Sequence, residues 1–308
     1  MSKSATVSDP TGREQARLMR LATYAAVGTA GLLIAVKTGA WAATQSVSVL
    51  STLVDSMLDA VASLINLLAV SHALQPADAE HRFGHGKAEP LAGLGQAAFI
   101  AGSGMFLVFQ VAERLIEPRP VGNGAVGIAV MVFSILATVT LVTFQRYVVR
   151  RTRSVAISAD SLHYVSDVLV NGSVIAAIVL SANLGWTLAD PLFGAGIAAY
   201  IVYSAWMIAG QSVNILMDRE LPDEDRERIR GIVMGHPEVR AMRELKTRTS
   251  GPRQFIQLCV VFDDEISLRR AHDIAHQVEN KIRAAFHDAE VIIHQEPGEA
   301  AGRTAGRT

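Results

Sequence analysis

Long apolar blocks separated by short polar stretches fill the first two-thirds of the chain, and after Asp218 the pattern changes to short amphipathic runs. A helix needs about 20 mostly apolar residues to cross the hydrocarbon of a bilayer. Six blocks reach that length and predict spans at roughly 21–43, 47–73, 91–116, 124–147, 158–182 and 190–212. The first twenty residues are polar, and no small-residue cleavage site follows a short apolar stretch, so the first span is expected to be retained. Residues 1–16 and the GEAAGRTAGRT tail from 297 to 308 read as disordered. That leaves a membrane domain at 17–217 and a second domain at 218–296.

The second domain has its own rhythm. Leu221-Pro222 and the acidic residues after it mark a helix start, and Gly235 with Pro237 mark its stop. Val239–Thr247 and Gln254–Phe262 read as strands joined by a turn at Thr249-Ser250-Gly251-Pro252. Ile256, Leu258, Val260 and Phe262 alternate onto one strand face, which puts Cys259 and Gln257 on the other, where Cys259 need not be core. A helix at about 267–286 and a short strand at 289–294 complete an αββαβ order, a two-layer α/β domain with both helices on one sheet face. The expected fold is thus a membrane α-helical protein: six transmembrane helices and then a small cytosolic α/β domain. Two helices on three strands make a small core, which self-association would help to stabilise.

Half of the 308 residues are hydrophobic, too many for an ordinary soluble protein. With the N-terminus in the cytoplasm, ten Lys and Arg fall on the cytoplasmic side: Lys3, Arg13, Arg17, Arg20, Arg82, Lys87, Arg146, Arg150, Arg151 and Arg153. Only Arg114 and Arg119 fall on the other, so both termini are expected in the cytoplasm. No basic cluster is interleaved with aromatics, which argues against nucleic acid. A single cysteine, Cys259, excludes an intrachain disulfide framework and suits a reduced compartment.

Two pairs of ionisable residues stand out inside the apolar blocks: Asp55 and Asp59 in the second span, His163 and Asp167 in the fifth. Each pair is spaced i, i+4, so its side chains leave one helix face a turn apart. The plainer readings are capping, snorkelling, or pairing with Lys37 in the first span. Asp55 and Asp59 lie eight and twelve residues into their span, too deep for short side chains to reach the interface. Ionisable groups at such depth normally serve a pathway or an ion. Three carboxylates and one imidazole suffice for one tetrahedral divalent site. Without a cation the carboxylates would repel one another and gather protons, which an entering cation must expel. In a protein that exposes this site to each side in turn, that competition is an antiport. The absence of thiolate argues against Cu(I), and the imidazole with four ligands argues against Mg²⁺ and Ca²⁺. Zn²⁺ fits best; Fe²⁺, Mn²⁺, Co²⁺ and Cd²⁺ stay open.

Two further constellations have plain and chemical readings side by side. In QPADAEHRFGHGKAEP, Asp78, His81 and His85 suit a surface metal site, or a polar turn whose glycines give backbone freedom. In the second domain Cys259, His272, His276, His294 and Glu296 could bind metal, although histidines on a helix surface are more often simply solvated.

The runs SVSVLSTLVDSMLDAVASLINLLAV, QPADAEHRFGHGKAEPLAGLGQAAFI, ADSLHYVSDVLVNGSVIAA and VIIHQEP resemble the cation diffusion facilitator family, and within it the bacterial ferrous-iron and zinc efflux branch. The resemblance implies a homodimer of six-span subunits in the inner membrane, each with a metallochaperone-like cytosolic domain, exporting divalent metal in exchange for protons. It maps a transport site onto Asp55, Asp59, His163 and Asp167 and a loop site onto Asp78, His81 and His85. A cytosolic site, usually binuclear, falls on Arg243, Cys259, His272, His294 and Glu296. Here the chain departs from the branch, with Arg243 and Cys259 in place of histidines and Glu296 in place of aspartate. Guanidinium cannot ligate a metal, so one ion held by Cys259, His272, His294 and Glu296 is the implied remainder. The resemblance also implies a charge contact at the dimer between Lys87 and Asp218.

The function expected is a proton-coupled exporter of divalent metal, Zn²⁺ first, with metal, protons, lipid and a second copy of the chain as partners. A membrane metal sensor that binds without moving ions is the alternative. An intramembrane metallopeptidase is disfavoured: Glu80-His81 is followed by Arg82-Phe83, with the second histidine at 85, so the His-Glu-x-x-His motif that sets a base beside a metal is absent.

Overall fold

The computed structural model describes residues 10–116, 125–184, 189–286 and 288–298. Six long helices come first: α1 (Pro10–Thr44), α2 (Val47–Ala73), α3 (Ala88–Ile116), α4 (Ala125–Thr152), α5 (Val155–Leu184) and α6 (Ala189–Leu216). Among the described residues α1, α2, α3, α4 and α6 are long and apolar enough to cross a membrane, and α5, 30 residues long, is the sixth of the set. In each of the five no more than 33% of the apolar window is buried inside the protein. On α2 the row Val54, Met57, Leu58, Val61, Leu64, Ile65 and Leu68 is exposed, as a lipid-facing surface requires.

Where helices end, the backbone turns left-handed: Gln45, Arg153 and Asp218 have φ of 50°, 55° and 56°. Their amides close the last turns: Gln45 N–H donates to Trp41 O and Arg153 N–H to Val149 O, both at 2.7 Å. Such caps let α1 reverse into α2, and α4 into α5, within two residues. Helix α1 begins at Pro10, so residues 10–16 are helical and not part of a tail. Proline suits the first helical turn, where its missing N–H is no loss, and Gln15 Nε2 donates to Arg151 O across to α4. The expected tails at 1–9 and 299–308, with Lys3, and Arg119 of the charge tally lie outside the described residues.

Helix α1 packs on α2 and α4, α3 packs on α6, and α5 runs between α3, α4 and α6 while touching α2. Glycines allow the α3–α6 approach: a Cβ at Gly104 would stand 2.9 Å from Ile201, and one at Gly93 2.7 Å from Ser212 Oγ. Glu89, buried at the start of α3, meets the Ser154 hydroxyl and the backbone N–H groups of Val155 and Ala156, and so caps α5.

The second domain follows the expected order: α7 (Asp223–Met234), β1 (Ala241–Ser250), β2 (Arg253–Phe262), α8 (Leu268–Ala285) and β3 (Ala289–Pro297). The sheet is ordered β1-β2-β3, with β1 antiparallel and β3 parallel to the central β2. The parallel pair needs a crossover, which α8 supplies. Ala271, Ile274, Val278 and Ile282 recur at helical spacing on α8 and bury against Ile256, Leu258, Val260 and Phe262. Each large side chain so buried stabilises by roughly 1.5–3 kcal/mol. Ser267 caps α8 by accepting from Arg270 N–H at 3.3 Å. The expected strands and helix ends shift by no more than a few residues, as helix and strand ends commonly do.

The two domains meet at the α2–α3 loop. Phe83 and Phe255 stack edge-on with centroids 5.8 Å apart, and the Arg248 guanidinium lies over both rings, at 5.1 and 4.6 Å. Arg248 also pairs with Asp218 at 3.4 Å, and Asp218 with Lys87 at 3.0 Å. Lys87 and Asp218 therefore pair inside one chain, because the end of α6 lies beside the start of α3. Gly86 sits directly on the Ser250 carbonyl of the β1–β2 turn.

Candidate metal centre

Three of the four residues expected at the site within the spans converge. Helix α2 supplies Asp59, and α5 supplies His163 and Asp167, with one ligand atom from each within 4.8 Å of the others. His163 Nε2 lies 2.9 Å from Asp59 Oδ1 and 3.9 Å from Asp167 Oδ2. The His163 ring is buried, edge-on to Phe99 of α3 with centroids 5.5 Å apart. Packing on α3 thus aims the imidazole at the carboxylates.

Asp55 does not join them. One turn earlier on α2 it is exposed and outside the cluster. The i, i+4 spacing puts it on the same side of α2 as Asp59, but α5 touches α2 only slightly and approaches it at Asp59. The concern over Lys37 resolves in the same way. Its ammonium donates to Thr52 O (3.0 Å) and Ser56 Oγ (2.7 Å) on α2, which anchors it beside the carboxylates rather than among them.

Sequence reasoning missed Asp160. It is buried on α5, one turn before His163, where Gln145 Nε2 donates to Asp160 Oδ2 at 2.6 Å. Ser63 Oγ donates to Asp160 Oδ1 at 3.5 Å and lies 2.8 Å from the Tyr164 hydroxyl. This network ties α2, α4 and α5 together behind the cluster. The signal was present: Asp160, His163 and Asp167 follow one helical stripe at i, i+3, i+7.

In the α2–α3 loop Asp78, His81 and His85 also gather within 4.8 Å. Asp78 Oδ1 accepts from the backbone N–H of Glu80 (2.9 Å) and His81 (2.6 Å), an Asx-type turn that holds the loop closed. Asp78 Oδ2 lies 3.3 Å from His85 Nε2, and Oδ1 3.5 Å from His81 Nδ1. The backbone donors, with the nearby imidazoles, hold the Asp78 carboxyl below the usual carboxylate range even against its slight desolvation. The buried His85 leaves its Nδ1 without a hydrogen-bond partner. Two imidazoles and an ionised carboxylate suit a divalent cation, so the donor set fits.

The cytosolic constellation does not assemble within one chain. Strand register puts Arg243, Cys259 and His294 side by side across the sheet, with Glu296 two residues along β3 on the same face. His294 Nε2 and Glu296 Oε1 are 3.9 Å apart. His272 and His276 are exposed on α8, which covers the opposite face. Among the described residues no metal-ligand group of three forms in this domain. Cys259, which alternation left free to be core or not, is buried on the central strand, with Arg243 and His294 paired on either side. Burial, with Glu296 and Glu244 nearby, pushes its thiol up. A single-chain site built from Cys259, His272, His294 and Glu296 does not fit this geometry.

The family model for the cation efflux transmembrane domain matches residues 23–217, and that for the cation efflux protein cytoplasmic domain matches 221–298. The cation-efflux pump FieF of Citrobacter koseri is 49% identical over 281 residues, 91% of this chain and 93% of that protein. FieF of Shigella flexneri serotype 5b is 47% identical over 292 residues, 95% of this chain and 97% of the relative. A solved structure of CzrB, 32% identical, covers 25% of this chain and 96% of its own at a TM-score of 0.24, too low to carry an argument.

Proposed function

The chain belongs to the cation diffusion facilitator family, and from that premise we propose that it is a proton-coupled exporter of divalent metal, Zn²⁺ first, working as a homodimer in the inner membrane. It is a transporter of cations and not an enzyme. The carrying observation is the convergence of Asp59, His163 and Asp167 from two different helices.

Three protein ligands leave a fourth position open. Asp55, a turn away on the same helix, fills it if α2 moves relative to α5; metal capture and helix movement are then one event. From the cytosolic side the cation displaces the protons that otherwise neutralise the crowded carboxylates. When the helices rock, protons from the periplasmic side reverse the exchange. Separation across two helices suits this cycle, because sliding α2 past α5 changes ligand number without unfolding either helix. Oxygen-rich coordination with one imidazole admits Zn²⁺ and also Fe²⁺, Mn²⁺, Co²⁺ or Cd²⁺.

Proteoliposomes loaded with a zinc-sensitive dye test this reading. Zn²⁺ flux should rise with an imposed pH gradient and vanish in Asp59→Ala. Metal binding without flux would overturn the reading in favour of a sensor.

A further inference from the structure

The geometry points to His72 as a fourth ligand of the loop site, so that a bound divalent cation clamps the α2–α3 loop to the end of α2. This inference rests on the reading that Asp78, His81 and His85 hold a cation.

His72 lies in the last turn of α2, outside the loop motif, and nothing in its sequence position singles it out. In the fold its ring stands edge-on to His85 with centroids 4.6 Å apart. The His81 ring is also 4.6 Å from His85, on the same measure. His85 is thus flanked by two imidazoles at one distance, and only one of them belongs to the motif. His85 itself is buried, with Nε2 near Asp78 and Nδ1 without a partner. An orphaned ring nitrogen between two other imidazoles costs free energy unless something satisfies it. A cation bound among these rings offsets that cost. The His72 side chain is exposed, so a rotamer change can bring a nitrogen to the ion without repacking a core.

The fourth ligand changes what the site does. Asp78, His81 and His85 alone would stiffen the loop. Adding His72 ties that loop to α2, the helix that carries Asp59 thirteen residues earlier, about 20 Å along the axis. The loop in turn reaches the second domain through Phe83, stacked on Phe255 and under Arg248. A metal here would join the transporting helix to the cytosolic domain. Three imidazoles and one carboxylate also favour Zn²⁺, Co²⁺ or Ni²⁺ over Mn²⁺ and Mg²⁺, a narrower choice than the oxygen-rich cluster in the spans.

The test uses the full-length chain in detergent, with Asp59→Ala and Asp167→Ala to silence the transmembrane cluster, and Co²⁺ and Zn²⁺ as probes. Loss of an outer-shell partner already weakens metal sites about 10- to 100-fold, so loss of a direct ligand in His72→Ala should weaken loop binding by at least about tenfold. The visible bands of four-coordinate Co²⁺ should diminish. In hydrogen exchange, Zn²⁺ should protect residues 70–85 in the parent but only 78–85 in His72→Ala. His72→Gln, which keeps a polar side chain at this exposed position, should behave as His72→Ala does. Unchanged affinity, spectrum and protection in both variants, with binding lost in His81→Ala and His85→Ala, would overturn the role of His72 alone. Binding that survives Asp78→Ala, His81→Ala and His85→Ala would overturn the loop site itself.

Discussion

Replacing Gly86 with alanine perturbs a place where loop backbone rests closely on the second domain. A Cβ there would overlap the Ser250 carbonyl group and stand 2.7 Å from Ser250 Oγ, where ordinary contact is 3.4–4 Å. The carbonyl is backbone in the β1–β2 turn and cannot rotate aside. Across the contact Gly251, at φ 59°, is also close: a Cβ on it would lie 3.2 Å from Gly86 Cα. The loop must therefore lift off the hairpin and loosen the Phe83–Phe255 stack and the Lys87–Asp218 pair with it. Overpacking of this kind costs about 1–3 kcal/mol. Applied to docking of the loop, that is roughly a 5- to 150-fold shift toward the undocked form. Hydrogen exchange of the full-length protein reads it out: residues 80–89 and 248–256 should lose protection in Gly86→Ala, while α8 should not. Gly95→Ala is the control, since nothing lies within 4 Å of its added Cβ. Protection in Gly86→Ala equal to the control would refute the close approach.

Asp59→Ala and Asp167→Ala should each abolish metal flux in proteoliposomes, whereas Asp55→Ala should keep measurable binding in this conformation; equal loss of binding in all three would show that Asp55 already ligates. His163→Asp should shift flux toward harder ions such as Mn²⁺, and an unchanged ion ranking would show that the imidazole does not set selectivity. Cys259 should alkylate slowly at neutral pH, since burial and the nearby carboxylates keep the thiol protonated, and a rate matching a free peptide thiol would contradict its burial. Desolvation raises the Asp218 carboxyl, but hydrogen bonds and charge from Lys87 and Arg248 outweigh it and hold the group below its usual value. Its folded-state value lies below its unfolded one, so this contribution is full above about pH 3.9 and is lost as pH falls through the lowered value. The pair is partly exposed and contributes about 1 kcal/mol or less. Protection of residues 80–89 should outlast the ordinary aspartate titration on acidification, and Asp218→Asn should weaken it already at neutral pH.

The chain's own pattern determined the long helices and the αββαβ order and singled out candidate residues for two metal sites, because each depends on local spacing. Apolar length sets a span, alternation sets a strand face, and i, i+4 spacing sets a helix stripe. Asp59, His163 and Asp167 were legible for that reason, as were Asp78, His81 and His85. Contacts between elements decided the rest. Asp55 has the right type and spacing, yet α5 approaches α2 one turn further on. Asp160 lies on the same stripe as His163 but faces Gln145 of α4, which no spacing within α5 reveals. Cys259, read from alternation as a residue that need not be core, is covered because strands flank it on both sides. Its expected co-ligand His272 lies on the helical layer across the sheet. His72 is distant in kind from the loop motif and meets it only because α2 ends beside His85. Periodicity says which way a side chain leaves its own element; what it then meets depends on how helices and strands cross, and only the tertiary structure decides that.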